Sequence, residues 1–209
     1  MNEPEAPDRN SPDRPRTGLA NLMQQRPVAI TLGFEAGLGV FALLLALVFG
    51  LEPWLSVRLS ADALVHSLLG TVVMTAAMLV LIQMRWGWVQ ELERVVREFL
   101  LPLFRHAGPV SLGAISLMAG VGEELLFRGV IQAGLSGPLG PIAALLLASL
   151  LFALAHAVTI GYFGVTFLIG LYLGWLYQAT GNLLVPILVH FFYDWLVLSW
   201  YRFGPGFRR

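Results

Sequence analysis

Glu123 and Glu124 stand side by side in the apolar stretch Gly122-Glu123-Glu124-Leu125-Leu126-Phe127-Arg128-Gly129. A charge at the centre of a membrane helix costs about 2.5–3.5 kcal/mol on insertion scales, and such residues face a hydrated or protein-lined interior. On a helix Glu124 and Arg128 are an i,i+4 pair with the acid first, the favoured order. Adjacent positions lie about 100° apart, so Glu123 points elsewhere. The division leaves one neutralised carboxylate and one free one. Two later apolar segments also carry ionisable groups. His156 closes Phe152-Ala153-Leu154-Ala155-His156, with Phe152 one turn earlier on the same face. His190 and Asp194, in His190-Phe191-Phe192-Tyr193-Asp194, meet as i,i+4 neighbours. A carboxylate and a histidine can hold and deprotonate a water. A second histidine with a hydrogen-bonding neighbour can stabilise an oxyanion. Together these groups could hydrolyse a peptide bond without a covalent intermediate.

Each group also has a plainer reading. Glu123, Glu124 and Arg128 could be an interfacial charge cluster at a helix end, His156 an interface residue, and His190–Asp194 a satisfied pair that joins two helices. The functional reading rests on three separate apolar segments contributing such groups in order. Glu35 and His66 are expected to be structural, each near the start of its segment, and His106 to be an interface residue.

These side chains need helices that place them. Of the 209 residues, 57% are hydrophobic and 12% charged, with mean hydropathy +0.73. Soluble domains carry about 25% charged residues, so this is an integral membrane protein. A membrane helix takes about 20 mainly apolar residues. Candidates run from about Val28 to Leu51, Ala63 to Met84, from Pro109 onward, Ile142 to Val158, Gly164 to Thr180 and Leu183 to Tyr201. The expected fold is an all-α bundle of about six spans. Between Arg85 and Arg105 the apolar residues Val89, Leu92, Val95, Val96, Phe99, Leu100 and Leu103 recur at three- and four-residue steps among charges, behind Trp86 and Trp88. This predicts an amphipathic helix lying in the interface. The run Gly134-Leu135-Ser136-Gly137-Pro138-Leu139-Gly140-Pro141 is expected to break the chain, and Gly181-Asn182 to punctuate the last two spans. No internal repeat is visible.

Residues 1–26, with four prolines and mixed charges, are expected to form a disordered tail, followed by a membrane domain over 27–203. The first apolar run is too long for a signal-peptide core. Arginines cluster before the first span, after the second and after the sixth, which places both termini in the cytoplasm by the positive-inside rule. Short loops point to a bacterial plasma membrane.

Composition removes several mechanisms. The chain has no cysteine and no lysine, which excludes disulfides, thiolate ligands, a cysteine nucleophile, Schiff bases, Ser-Lys dyads and P-loop chemistry. A formal net charge of zero gives no basic footprint for nucleic acid.

Glu123-Glu124-(three residues)-Arg128, Phe152-(three)-His156 and His190-(three)-Asp194 resemble the three signature motifs of the CPBP family, the CAAX proteases and bacteriocin-processing enzymes. The resemblance covers a core over residues 108–201. It implies an intramembrane glutamic endopeptidase that needs no metal or cofactor and acts on a peptide or membrane-anchored protein. By the resemblance, Glu123 and His156 activate the water. Glu124, Arg128 and Phe152 support the site, and His190 with Asp194 forms the oxyanion site. Where the family often has asparagine, this chain has Asp194. An ionised aspartate cannot donate a hydrogen bond, so either Asp194 carries a proton or it orients His190.

Other readings use the same residues. Glu123, His156 and His190 could ligate a catalytic zinc, although the His-Glu-(two)-His signature is absent. The cluster could instead serve a membrane binding or transport protein. Ser136 in Gly134-Leu135-Ser136-Gly137 is better explained as a loop residue than as a serine nucleophile. No second aspartate lies in a span to pair with Asp194.

Overall fold

The computed structural model describes residues 27–105 and 107–204, without the side chains of residues 99 and 100. The expected tail at 1–26, His106, and the side chains of Phe99 and Leu100 lie outside the described residues. Every element among the described residues is helical, as expected of an all-α bundle. The helices are α1 (Pro27–Phe49), α2 (Ala61–Gln83), α3 (Gly87–Val95), α4 (Pro109–Leu139), α5 (Pro141–Ala155), α6 (Ile160–Thr180) and α7 (Leu184–Phe203). Five of them, α1, α2, α4, α6 and α7, are long and apolar enough to cross a membrane. The expected fourth span is shorter. At 15 residues, α5 is about 22 Å long, less than the ~30 Å hydrocarbon core.

Burial separates α4 from the rest. In its most apolar window 61% is buried, against 17% for α1 and 22% for α2. The outer helices therefore present their apolar side chains outward, as lipid-facing helices do, while α4 runs through the middle. Its glycines make that position possible. A Cβ on Gly120 would lie 2.9 Å from the Ile187 carbonyl oxygen of α7, and one on Gly122 would lie 2.7 Å from the Glu35 carbonyl oxygen of α1. The two positions are about 200° apart on the helix, so α1 and α7 approach α4 from opposite sides. Small residues permit such backbone contacts between membrane helices. On α1 the matching stripe is Glu35, Gly39, Ala42 and Ala46, of which Ala42 and Ala46 are fully buried.

Two sequence expectations are corrected. The Gly134–Pro141 run does not break the chain at its start. Helix α4 continues to Leu139, with Pro138 inside its last turn, and stops at Gly140, whose φ of +78° L-residues rarely adopt. A proline so near a helix end removes only one late hydrogen bond, so Gly140 sets the boundary. The amphipathic segment between Arg85 and Arg105 is also not one regular helix. It is α-helical over Gly87–Val95, widens through a π turn at Val96–Leu100, and buries Val89, Leu92, Val95 and Val96 within the protein. Its apolar stripe packs inward on the bundle. Gly181, at φ +57°, caps α6, and the Asn182 side chain exchanges hydrogen bonds with the Arg58 backbone, tying the α1–α2 connection to the α6–α7 turn.

Replacing Gly122 with alanine forces a Cβ against backbone that cannot rotate away. Gly122→Ala is expected to destabilise the detergent-solubilised protein by about 1–3 kcal/mol, the usual cost of overpacking. Gly137→Ala, which meets nothing within 4 Å, should stay within about 1 kcal/mol of wild type. Thermal unfolding of the two variants checks the contrast.

Candidate active site

The buried centre of α4 holds the two glutamates and the arginine. Glu124 and Arg128 are both fully buried, with Arg128 Nη1 donating to Glu124 Oε1 at 3.0 Å, although the chain between them enters a π-helical stretch, Leu125–Gln132. The other guanidinium nitrogen, Nη2, donates to the Gly170 carbonyl of α6 at 2.9 Å. Gly170 lies against the Ser149 backbone, its Cβ position 3.2 Å from Ser149 Cα, so α5, α6 and α4 meet at this arginine. One turn on, Gln132 Nε2 donates to the Gly174 carbonyl at 2.9 Å and repeats the pattern.

Glu124 also reaches the last helix. Its Oε1 lies 2.9 Å from His190 Nδ1, a contact across 66 positions of sequence. The other ring nitrogen, Nε2, faces Asp194 Oδ2 at 3.3 Å on the same helix. His190 is thus held between two carboxylates, one buried and one at a partly open edge, where the Asp194 side chain is 33% exposed. The expected Glu124–Arg128 pairing is present, and Glu124 has a second partner that the spacing did not disclose.

Glu123 points to a different neighbour. Its Oε2 faces His156 Nε2 at 3.5 Å and has no aligned hydrogen-bond donor. His156 sits where α5 ends, earlier than the expected Val158, and its Nδ1 lies 2.8 Å from the Phe152 carbonyl, an otherwise unsatisfied group at the helix C-terminus. That bond needs a proton on Nδ1, which leaves Nε2 of a neutral ring as an acceptor directed at Glu123. Phe152 forms the floor of the site. Its ring lies 4.7 Å from the His156 ring and 6.2 Å, edge-on, from the His190 ring, and the Arg128 guanidinium sits 4.6 Å over its face.

All seven residues singled out from the sequence (Glu123, Glu124, Arg128, Phe152, His156, His190 and Asp194) are therefore brought together from α4, α5 and α7. Among the described residues, no three histidine, aspartate or glutamate side chains are grouped as metal ligands. Ser136 donates to the Gln132 carbonyl of its own helix at 2.7 Å. His66 lies apart, its Nδ1 2.7 Å from the Asp62 carbonyl on an exposed face of α2.

Glu35, expected to be structural near the start of α1, is buried. It is 8% exposed, its Oε2 has no partner, and the charged groups whose fields reach it are Glu123, His190, His156 and Asp194. The 4-3-4 spacing of Glu35, Gly39, Ala42 and Ala46 could have revealed it, because one carboxylate on a stripe of small residues must face the protein. Tyr162 was also passed over. It is half-buried at the start of α6, with Asp194 and Glu123 as its electrostatic neighbours.

Residues 105–196 match the family model of the type II CAAX prenyl endopeptidases, Rce1-like. The match spans all three motifs and agrees with the resemblance they carry. No curated protein and no solved structure matches the chain. The Rce1-like segment includes α4, α5, α6 and most of α7, and leaves α1 and α2 outside. The match points to a CAAX endopeptidase, a hydrolase, and implies a membrane-associated protein substrate. Together with the apolar helices it makes the chain a multi-pass membrane protein.

Arg128→Leu leaves the Glu124 carboxylate, in a site closed to solvent, with His190 as its one remaining partner, a change that costs about 3–5 kcal/mol when one partner of a buried pair is removed. Asp194→Asn, at the open edge, should cost under about 1 kcal/mol. Thermal unfolding in detergent should therefore show a large loss for the first and a small one for the second.

Proposed function

We propose that this chain is an intramembrane glutamic endopeptidase, with residues 27–203 as its catalytic domain. The observation that carries the proposal is the Glu123–His156 facing pair. A carboxylate oxygen and a ring nitrogen face each other at 3.5 Å, and the oxygen has no aligned donor. A water beside them can donate one O–H to each. His156 is 30% exposed and Glu123 10%, so the water approaches from the His156 side.

In the reaction, Glu123 takes a proton from this water while the water oxygen forms a bond to the scissile carbonyl carbon. The carbonyl π electrons move onto oxygen. His190 keeps its Nδ1–H on Glu124 and shares its Nε2–H between Asp194 and the developing oxyanion. Asp194 then serves to orient the ring rather than to donate. The tetrahedral intermediate collapses, the C–N bond breaks, and the proton held by Glu123 passes to the departing amine. The enzyme returns to its starting state, and water has been added across the peptide bond. General acid–base assistance of this kind supplies about 10²–10⁴-fold in rate, and an oriented donor to the oxyanion about 10²–10³-fold.

With α5 counted as a short sixth crossing, the arginine distribution supports both termini, and the site's approach, on the cytoplasmic side, and the short loops favour a bacterial plasma membrane. The substrate is a peptide or membrane-anchored protein whose scissile bond reaches the bilayer surface. Nucleic acid has no role.

Glu123→Gln keeps the shape of the side chain and removes the base. Its turnover of prenylated and unprenylated test peptides in vesicles should fall about 10²–10⁴-fold with unfolding temperature unchanged, and wild-type turnover should survive strong chelators. Wild-type turnover in Glu123→Gln contradicts the mechanism, and loss of activity with chelator contradicts its metal independence.

A further inference from the structure

Four carboxylates surround this site, and three have a cationic or imidazole partner. Glu124 has Arg128 and His190, Asp194 has His190, and Glu123 has His156. Glu35 has no ion pair among the described residues, is more than nine-tenths buried, and leaves Oε2 without a donor. It lies eight residues into α1, about 12 Å along the axis from Pro27, too deep for its short side chain to return to the polar surface. The backbone contact at Gly122 fixes it there: the Glu35 carbonyl abuts the residue next to Glu123. The charged groups whose fields reach it are Glu123 of α4, His156 at the end of α5, and His190 and Asp194 of α7.

Even with both histidines charged, Arg128, His156 and His190 bring three positive charges against four carboxylates. An isolated carboxylate within a membrane span is costly, whereas a neutral carboxylic acid carries no net charge and gains an O–H to donate. We propose that Glu35 is a neutral carboxylic acid whose O–H donates to the Glu123 carboxylate, directly or through one shared water, and that it is a positioning residue for the catalytic base. The bond holds Glu123 toward His156 and limits the Glu35–Glu123 pair to one negative charge. Glu35 lies outside the Rce1-like segment, so α1 contributes to the reaction centre as well as to packing.

The positioning role rests on the proteolytic reading, whereas the location of the proton does not. The test uses the purified full chain in vesicles. Infrared difference spectra in light and heavy water should show a protonated-carboxyl band in the wild type that is missing from Glu35→Gln. Glutamine keeps a donor in the same shape, so Glu35→Gln should cleave a prenylated test peptide within about threefold of the wild-type rate. Glu35→Leu loses the donor. Its kcat should fall about tenfold or more, the worth of one hydrogen bond to a charged group, with KM unchanged.

Identical carboxyl spectra for wild type and Glu35→Gln overturn the proposal. So does wild-type kcat in Glu35→Leu, or a Glu35→Gln variant as slow as Glu35→Leu. Should Glu35→Leu fail to fold, the spectra of Glu35→Gln still decide. A wild type that cleaves nothing defeats the proteolytic reading alone, because the band is read without turnover.

Discussion

The buried carboxylate of Glu124 is the point on which the rest of the structure depends. One oxygen accepts from Arg128 on its own helix and from His190 on the last helix, and Arg128 reaches on to the backbone of α6. Three membrane helices are joined through three side chains in a place closed to solvent. Such a network is stable only as a whole. Removing one member leaves a buried charge with too few partners, and that loss exceeds what the intact network contributes. The Phe152 ring covers the guanidinium and carries this order to both histidines.

The network also divides labour between adjacent glutamates. Because Glu124 is consumed in holding helices together, Glu123, about 100° away around the axis, has no arginine partner and faces His156. The proposed base needs that freedom, since a carboxylate already bonded to an arginine is a poor proton acceptor. The close approach of α1 at Gly122 and of α7 at Gly120 sets the distances at which this division works.

Much of the site was legible because its contacts are local or repeated. The Glu124–Arg128 and His190–Asp194 pairs follow from i,i+4 spacing, and the three motifs on three apolar segments were enough to indicate convergence. The Glu124–His190 bond was not legible, because nothing in the spacing of residues 66 apart specifies contact. The burial of Glu35 was not legible because its environment is made by Gly39 and Gly122, residues with no side chain to announce a contact. The persistence of α4 through Gly134, Gly137 and Pro138 was hidden for a related reason. Burial against neighbours outweighs weak local propensity, and only the positive φ at Gly140 ends the helix.

The most direct test is a double-mutant cycle between α4 and α7. Unfolding free energies are measured for wild type, Glu124→Gln, His190→Gln and the double variant. The account predicts a coupling above about 1.5 kcal/mol, as for partners in one buried network, whereas additivity within about 0.5 kcal/mol, the behaviour of independent positions, would contradict it.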